Sequence, residues 1–145
     1  MKTGTIKFLI AISLIASAIS CKNKNKISPQ DAAKTQISKT WILDTGTAVT
    51  LEGEDVTADY FFFEITFTAA GTYATQNGIP AFNANGTWSF AGESLTQINR
   101  DTDISTTITL TDNDLLMTFT LSESQLGSRT TSLAGEYIFK LVKKN

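Results

Sequence analysis

The chain of 145 residues contains no histidine, one cysteine and two prolines. Without histidine there is no Ser-His-Asp or Cys-His nucleophile system, and the common histidine or thiolate zinc sites are missing as well. A lone cysteine has no intramolecular disulfide partner. The uncharged run Phe8–Ile19 is 12 residues long, too short for the ~20 residues a membrane-crossing helix needs. Nor is there an excess of base: 12 Lys and Arg stand against 14 Asp and Glu, whereas nucleic-acid partners carry a basic footprint. Catalysis would have to rest on carboxylates alone. The expectation is a protein that is not an enzyme, takes no cofactor and no metal, and binds no nucleic acid.

The beginning of the chain has the composition of an export signal. Lys2 and Lys7 precede the apolar run, which ends at Ser20 and Cys21. Positive residues, a short apolar segment and small residues at the end are the parts of a signal peptide. The only cysteine stands directly behind Ala18-Ile19-Ser20, an arrangement that resembles the lipobox of bacterial lipoproteins, so Cys21 is the expected lipidation site. Each buried methylene of an acyl chain contributes ~0.8 kcal/mol, and two or more chains make a stable anchor. Lys22, Lys24 and Lys26 follow the cysteine. A basic run there favours the periplasmic face of the outer membrane. The expected partition is residues 1–20 as lipoprotein signal peptide, 21–37 as lipidated cysteine, tether and short helix, and 38–145 as one β domain. Removing the signal leaves 10 basic and 14 acidic side chains.

Ser28-Pro29-Gln30-Asp31 has the grammar of a helix start, with Ser as N-cap, Pro at the first helical position and an acid near the positive end of the dipole. The helix is expected over residues 29–37, with Ala33, Ile37 and Trp41 able to lie against the domain as a lid. From there on the pattern changes to period two. The clearest stretch is Asp59–Tyr73, DYFFFEITFTAAGTY. Phe61, Phe63, Ile65 and Phe67 fall on one face, and Tyr60, Phe62, Glu64 and Thr66 on the other. Gly71 follows in a tight turn, so the stretch reads as a β-hairpin. Strands are expected over 39–51, 60–68, 72–76, 87–90, 94–99, 104–111, 115–122 and 136–142. Eight strands joined mainly by short turns suit an antiparallel up-and-down barrel, which removes exposed edges by closing on itself. An open two-sheet sandwich fits the same spacing.

Trp41 in the first strand, FTAAGTY over 67–73, GTWSF over 86–90, LTDNDL over 110–115 and Tyr137-Ile138-Phe139 near the end together resemble the small lipocalin-like lipoproteins of Bacteroidota. The resemblance covers residues 29–143. It implies an eight-stranded lipocalin-like calyx in the bacterial envelope, tethered by its N-terminal lipid and holding a small hydrophobic molecule.

The residues expected to face the barrel interior, and so to line any such ligand, are Phe61, Phe63, Phe67, Trp88, Phe90, Met117, Phe119, Tyr137 and Phe139. The same side chains suffice to fill the barrel, because eight strands enclose only enough room for side chains or one small ligand. A filled barrel would serve as a scaffold or accessory subunit of an envelope complex. Glu52, Glu54, Asp55 and Asp59 form an acidic loop with no recognisable cation spacing, and it reads as solvated. Asp101 with Asp103 and Asp112 with Asp114 sit beside turns, where such side chains bond to backbone. Glu64 is expected to point outward beside Tyr60 and Phe62, leaving those two rings partly exposed.

Overall fold

The computed structural model describes residues 26–126 and 131–145. The expected signal peptide and the expected lipidation site, Cys21, lie outside the described residues. Helix α1 spans Pro29–Ile37, with Ser28 as N-cap accepting from the Asp31 amide at 3.0 Å. The strands are β1 (Thr40–Leu43), β2 (Val49–Leu51), β3 (Glu54–Asp55), β4 (Glu64–Phe67), β5 (Thr72–Gln76), β6 (Asn85–Phe90), β7 (Gln97–Arg100), β8 (Ile104–Leu110), β9 (Asp114–Leu121) and β10 (Gly135–Lys143). A short 3-10 turn, Thr57–Tyr60, precedes β4, and a second short helix, α2 (Glu123–Leu126), follows β9.

The sheet closes. Its order runs β1-β4-β5-β6-β7-β8-β9-β10, and β10 pairs back onto β1 through Trp41↔Lys143, Ile42↔Val142 and Leu43↔Leu141. All pairings are antiparallel, so the fold is an all-β barrel of eight strands preceded by one short helix, and not a sandwich. The expected first strand over 39–51 is two strands. β1 and β2 succeed one another along β10, whose first half pairs with β2 and whose second half pairs with β1. Between them residues 45–47 loop out of the ladder, flanked by the Asp44 amide donating to the Lys140 carbonyl at 2.9 Å and the Lys140 amide donating to the Ala48 carbonyl at 2.8 Å. β3 then folds back on β2 as a small hairpin outside the barrel wall.

Alternation places the core as expected in most strands. β9 buries Leu115, Met117, Phe119 and Leu121, and β10 buries Tyr137, Phe139 and Leu141. The β4–β5 hairpin turns at Gly71 with φ +82°, and a Cβ there would sit 3.0 Å from the Trp88 carbonyl oxygen, so both conformation and space call for glycine. α1 covers one end of the barrel. Ile37 and Trp41 are wholly buried, the Trp41 Nε1 donates to the Ile37 carbonyl at 2.9 Å, and Gln30 and Gln36 donate to the β6–β7 and β8–β9 turns at Gly92 and Asp112.

Two strand starts depart from expectation by three residues or more. β4 begins at Glu64, not residue 60, because Thr57–Tyr60 coils as a 3-10 turn and the chain reverses once more before entering the sheet. Tyr60 is therefore buried at 2 % exposure, while Phe61 and Phe62 stand out at 67 % and 71 %, so the expected inward Phe61 and outward Tyr60 are exchanged. In the fifth strand, expected over 94–99, pairing begins only at Gln97 and runs on to Arg100. Its inward residues are Ile98 and Arg100, and Leu95 is left outside the ladder.

Candidate functional site

The barrel interior is assembled from both ends. Of the nine residues expected to line it, Phe63, Phe67, Trp88, Met117, Phe119, Tyr137 and Phe139 come together in one buried cluster. Phe90 packs against that cluster from a partly exposed position beside α1. Phe61 belongs to the outer surface. Among the buried residues that the expected set omits, Phe82 and Arg100 decide how the interior is filled. Phe82, from the β5–β6 loop, is 2 % exposed and enters the barrel between Phe63, Phe119 and Phe139, with ring centroids 5.3, 5.4 and 5.1 Å away. Arg100 is wholly buried, with its guanidinium 4.0 Å from the Phe82 ring centre and 4.2 Å from that of Phe119. Contacts at these separations leave the rings touching one another.

Arg100 Nε donates to Thr106 Oγ1 at 3.0 Å, and its two terminal amino groups have no hydrogen-bond partner among the described residues. Burial pulls its pKa down from the ordinary arginine value to about 10, opposed by the nearby Tyr73 and Asp101. The two aromatic faces supply part of what water would have given the cation. Tyr73 donates to the Asp101 carboxylate, which also accepts from Asn83 Nδ2 at 3.2 Å and from the Thr87 amide at 3.2 Å. Gly86 makes this approach possible: a Cβ there would lie 2.0 Å from an Asp101 oxygen and 2.5 Å from the Tyr73 ring. Burial, then the bond to Asp101, pushes the Tyr73 phenol upward. Asp101 is thus tied to a turn and a tyrosine, in keeping with its structural reading.

The acidic loop is likewise held by its own hydrogen bonds. Asp55 accepts from the Thr57 amide and hydroxyl at 2.9 and 2.6 Å and from the Thr47 hydroxyl at 2.9 Å, and the Thr57 bonds lead in holding its carboxyl below the usual range. Among the described residues no three acidic, His or Cys side chains gather into a metal-holding group.

The outer surface offers a different arrangement. Tyr60 to Phe63 form a tight reversal in which the Phe63 amide donates to the Tyr60 carbonyl at 2.8 Å. Phe61 has φ −54° and ψ 130°, and Phe62 has φ +62°. These are the central angles of a type II turn, whose third position normally takes glycine or asparagine. The two exposed rings lie 4.0 Å apart, and the Asn77 side chain fastens the turn by donating to the Phe61 carbonyl at 2.8 Å. On one side of the pair is a cleft of about 570 Å³ with Ile42 and Leu43 among its apolar walls and Asp44, Glu64 and Lys144 among its polar ones. On the other is a cleft of about 370 Å³ bounded by Asp59, Phe61, Asn77 and Ile79. Glu64 points outward as expected and is ion-paired with Lys144. The first cleft has the size of a small-ligand site.

No family model, curated protein or solved structure matches the chain. The site defines a closed barrel with a packed interior and an aromatic turn presented on the outside.

Proposed function

We propose that this is a lipid-anchored protein of the bacterial envelope, exported by its signal peptide, acylated on Cys21 and held at the periplasmic face of the outer membrane. Its lipocalin-like barrel acts as a non-enzymatic scaffold or accessory subunit that engages its partner on the outside of a filled interior. The observation that carries this reading is the plugging of the barrel by Phe82 and Arg100. A carrier needs a chamber, and here a loop phenyl and a guanidinium sandwiched against Phe119 occupy the barrel's middle. The interior aromatics expected to line a hydrophobic ligand gain their stability from one another, about 1.5–3 kcal/mol for each large apolar side chain fully buried, before ordering entropy.

The test is mass spectrometry of the protein purified from its own host membrane, under native conditions and after lipid extraction. The expected mass is that of the chain from Cys21 onward plus its acyl groups, with no further passenger. A stoichiometric apolar molecule released from the barrel would replace the scaffold by a carrier. For the anchor, Cys21→Ala is expected to leave the membrane fraction. Retention as firm as that of the wild type would remove the lipid from the argument.

A further inference from the structure

Phe61 and Phe62 are the feature that the fold does not explain. They are two-thirds exposed, so they add little to the core, and Phe62 occupies a backbone conformation that bulky residues avoid. Backbone strain kept at an exposed aromatic residue points to a use outside the fold. We propose that the Phe61–Phe62 turn and its two flanking clefts form a docking site for a basic, apolar-bearing peptide segment of a protein partner. The inference rests on the scaffold reading above and names the chemistry of what the scaffold holds.

The sign of charge selects the occupant. The cleft walls carry Asp44, Asp59 and Glu64 against Lys144, and Lys144 is already paired with Glu64. Lys140 shares the neighbouring cleft with Asp44, and no ion pair joins the two among the described residues. The carboxylates of Asp44 and Asp59 are therefore left without an ion pair among the described residues. Exposed phenyl faces attract cations as well, so a segment alternating apolar with Arg or Lys side chains meets rings and carboxylates together.

Two other occupants fit less well. A bilayer surface carries negative charge and would repel Asp44 and Asp59. The site also sits at the end of the barrel away from α1, beside the β5–β6 loop through Asn77, whereas the tether enters at α1. A second copy of the chain would bring the same acids face to face. Two rings exposed to this extent offer roughly 300 Å², against ~800 Å² per partner in a stable protein interface. A short segment matches that area.

The experiment uses the mature lipidated protein in nanodiscs, titrated with a fluorescent peptide of four Leu-Arg repeats, a matched peptide of four Leu-Glu repeats, and vesicles of phosphatidylethanolamine and phosphatidylglycerol. The Leu-Arg peptide is expected to bind, to weaken as salt rises, and to lose at least tenfold in affinity with Phe62→Gly. Asp59→Asn combined with Asp44→Asn is expected to cost several-fold and to flatten the salt dependence. Phe62→Gly suits the turn, so its melting temperature should match or exceed that of the wild type, and lost binding then cannot be traced to unfolding. Equal binding of both peptides, undiminished binding by Phe62→Gly, or vesicle association that depends on Phe62 would each overturn the proposal. A barrel passenger or a missing acyl group would overturn the scaffold reading instead, so the two failures are distinguishable.

Discussion

Phe62 and Phe63 are neighbours in the chain with the same side chain, and the molecule treats them in opposite ways. Phe63 is 2 % exposed and packs against Tyr60, Phe82 and Phe139, whereas Phe62 is 71 % exposed and touches only the ring of Phe61 among the described aromatic contacts. Phe63 directly precedes β4, and the Phe62 backbone is held at positive φ. The first residue is retained by the fold, since its removal would open a cavity among rings. The second is disfavoured by the fold, since a glycine would make the same turn with less strain. A hydrophobic residue can therefore be informative in two ways, and burial decides which.

The comparison breaks first on the buried side. Phe63→Ala is expected to lose ~3–5 kcal/mol in urea unfolding, the range for removing a large aromatic side chain from a packed site. Phe82→Ala should fall in the same range, because it uncovers Arg100 as well as three phenyl rings. A loss below ~1 kcal/mol for both would mean that the interior is loosely filled, and would reopen the barrel to a ligand.

The same contrast explains how much could be read from the sequence. Residues 104–110, 115–121 and 137–142 alternate apolar with polar or partly exposed positions, and their inward faces are legible because each departure from period two would bury a polar group. In Tyr60-Phe61-Phe62-Phe63 every residue is aromatic, so hydrophobicity carries no period. Continuing the Phe63–Phe67 alternation backward assigns Phe61 to the core, and the 3-10 turn at Thr57–Tyr60 cancels that assignment. Phe82 stands between Ala81 and Asn83 in a loop introduced by Asn77-Gly78-Ile79-Pro80, where turn residues mask the one phenyl that enters the barrel. Arg100 shares its strand parity with Ile98, which is the available signal, but its charge argues for the surface. The external site was legible only as an exposed Phe62. Its partner Phe61 and the turn that joins them depend on backbone angles that no periodicity reports.

A smaller effect concerns Tyr60, which like Phe63 is buried but carries a polar atom. Its hydroxyl has no hydrogen-bond partner among the described residues, and burial leads in pushing its pKa above the ordinary 10.0. Tyr60→Phe is expected to stabilise by ~1 kcal/mol, since an unsatisfied buried polar atom is removed. The sign with pH follows from the raised pKa. Above pH 10 the unfolded chain loses the phenolic proton while the folded chain keeps it, so stability present below pH 10 falls as pH rises. Tyr73 and Tyr137 shift in the same direction, and the lowered Arg100 works against them. Between pH 10 and 11, Tyr60→Phe should therefore lose stability less steeply than the wild type, by up to ~1.4 kcal/mol per pH unit. Parallel unfolding curves across that range would show that Tyr60 is hydrated in solution.

The smallest change is the most discriminating. Phe62→Gly exchanges a strained residue for one at ease at φ +62°. Relief of a left-handed bulky residue is worth ~1–2 kcal/mol, offset by ~0.4–1 kcal/mol for the greater freedom of glycine in the unfolded chain. The expected balance is between no change and ~1.6 kcal/mol of stabilisation in urea. Loss of more than ~1 kcal/mol would mean that the Phe61–Phe62 contact braces the turn, making the pair a structural clasp. A stabilised variant that no longer holds the Leu-Arg peptide would separate the two phenylalanines by purpose: Phe63 kept for folding, and Phe62 kept at the expense of stability for the partner.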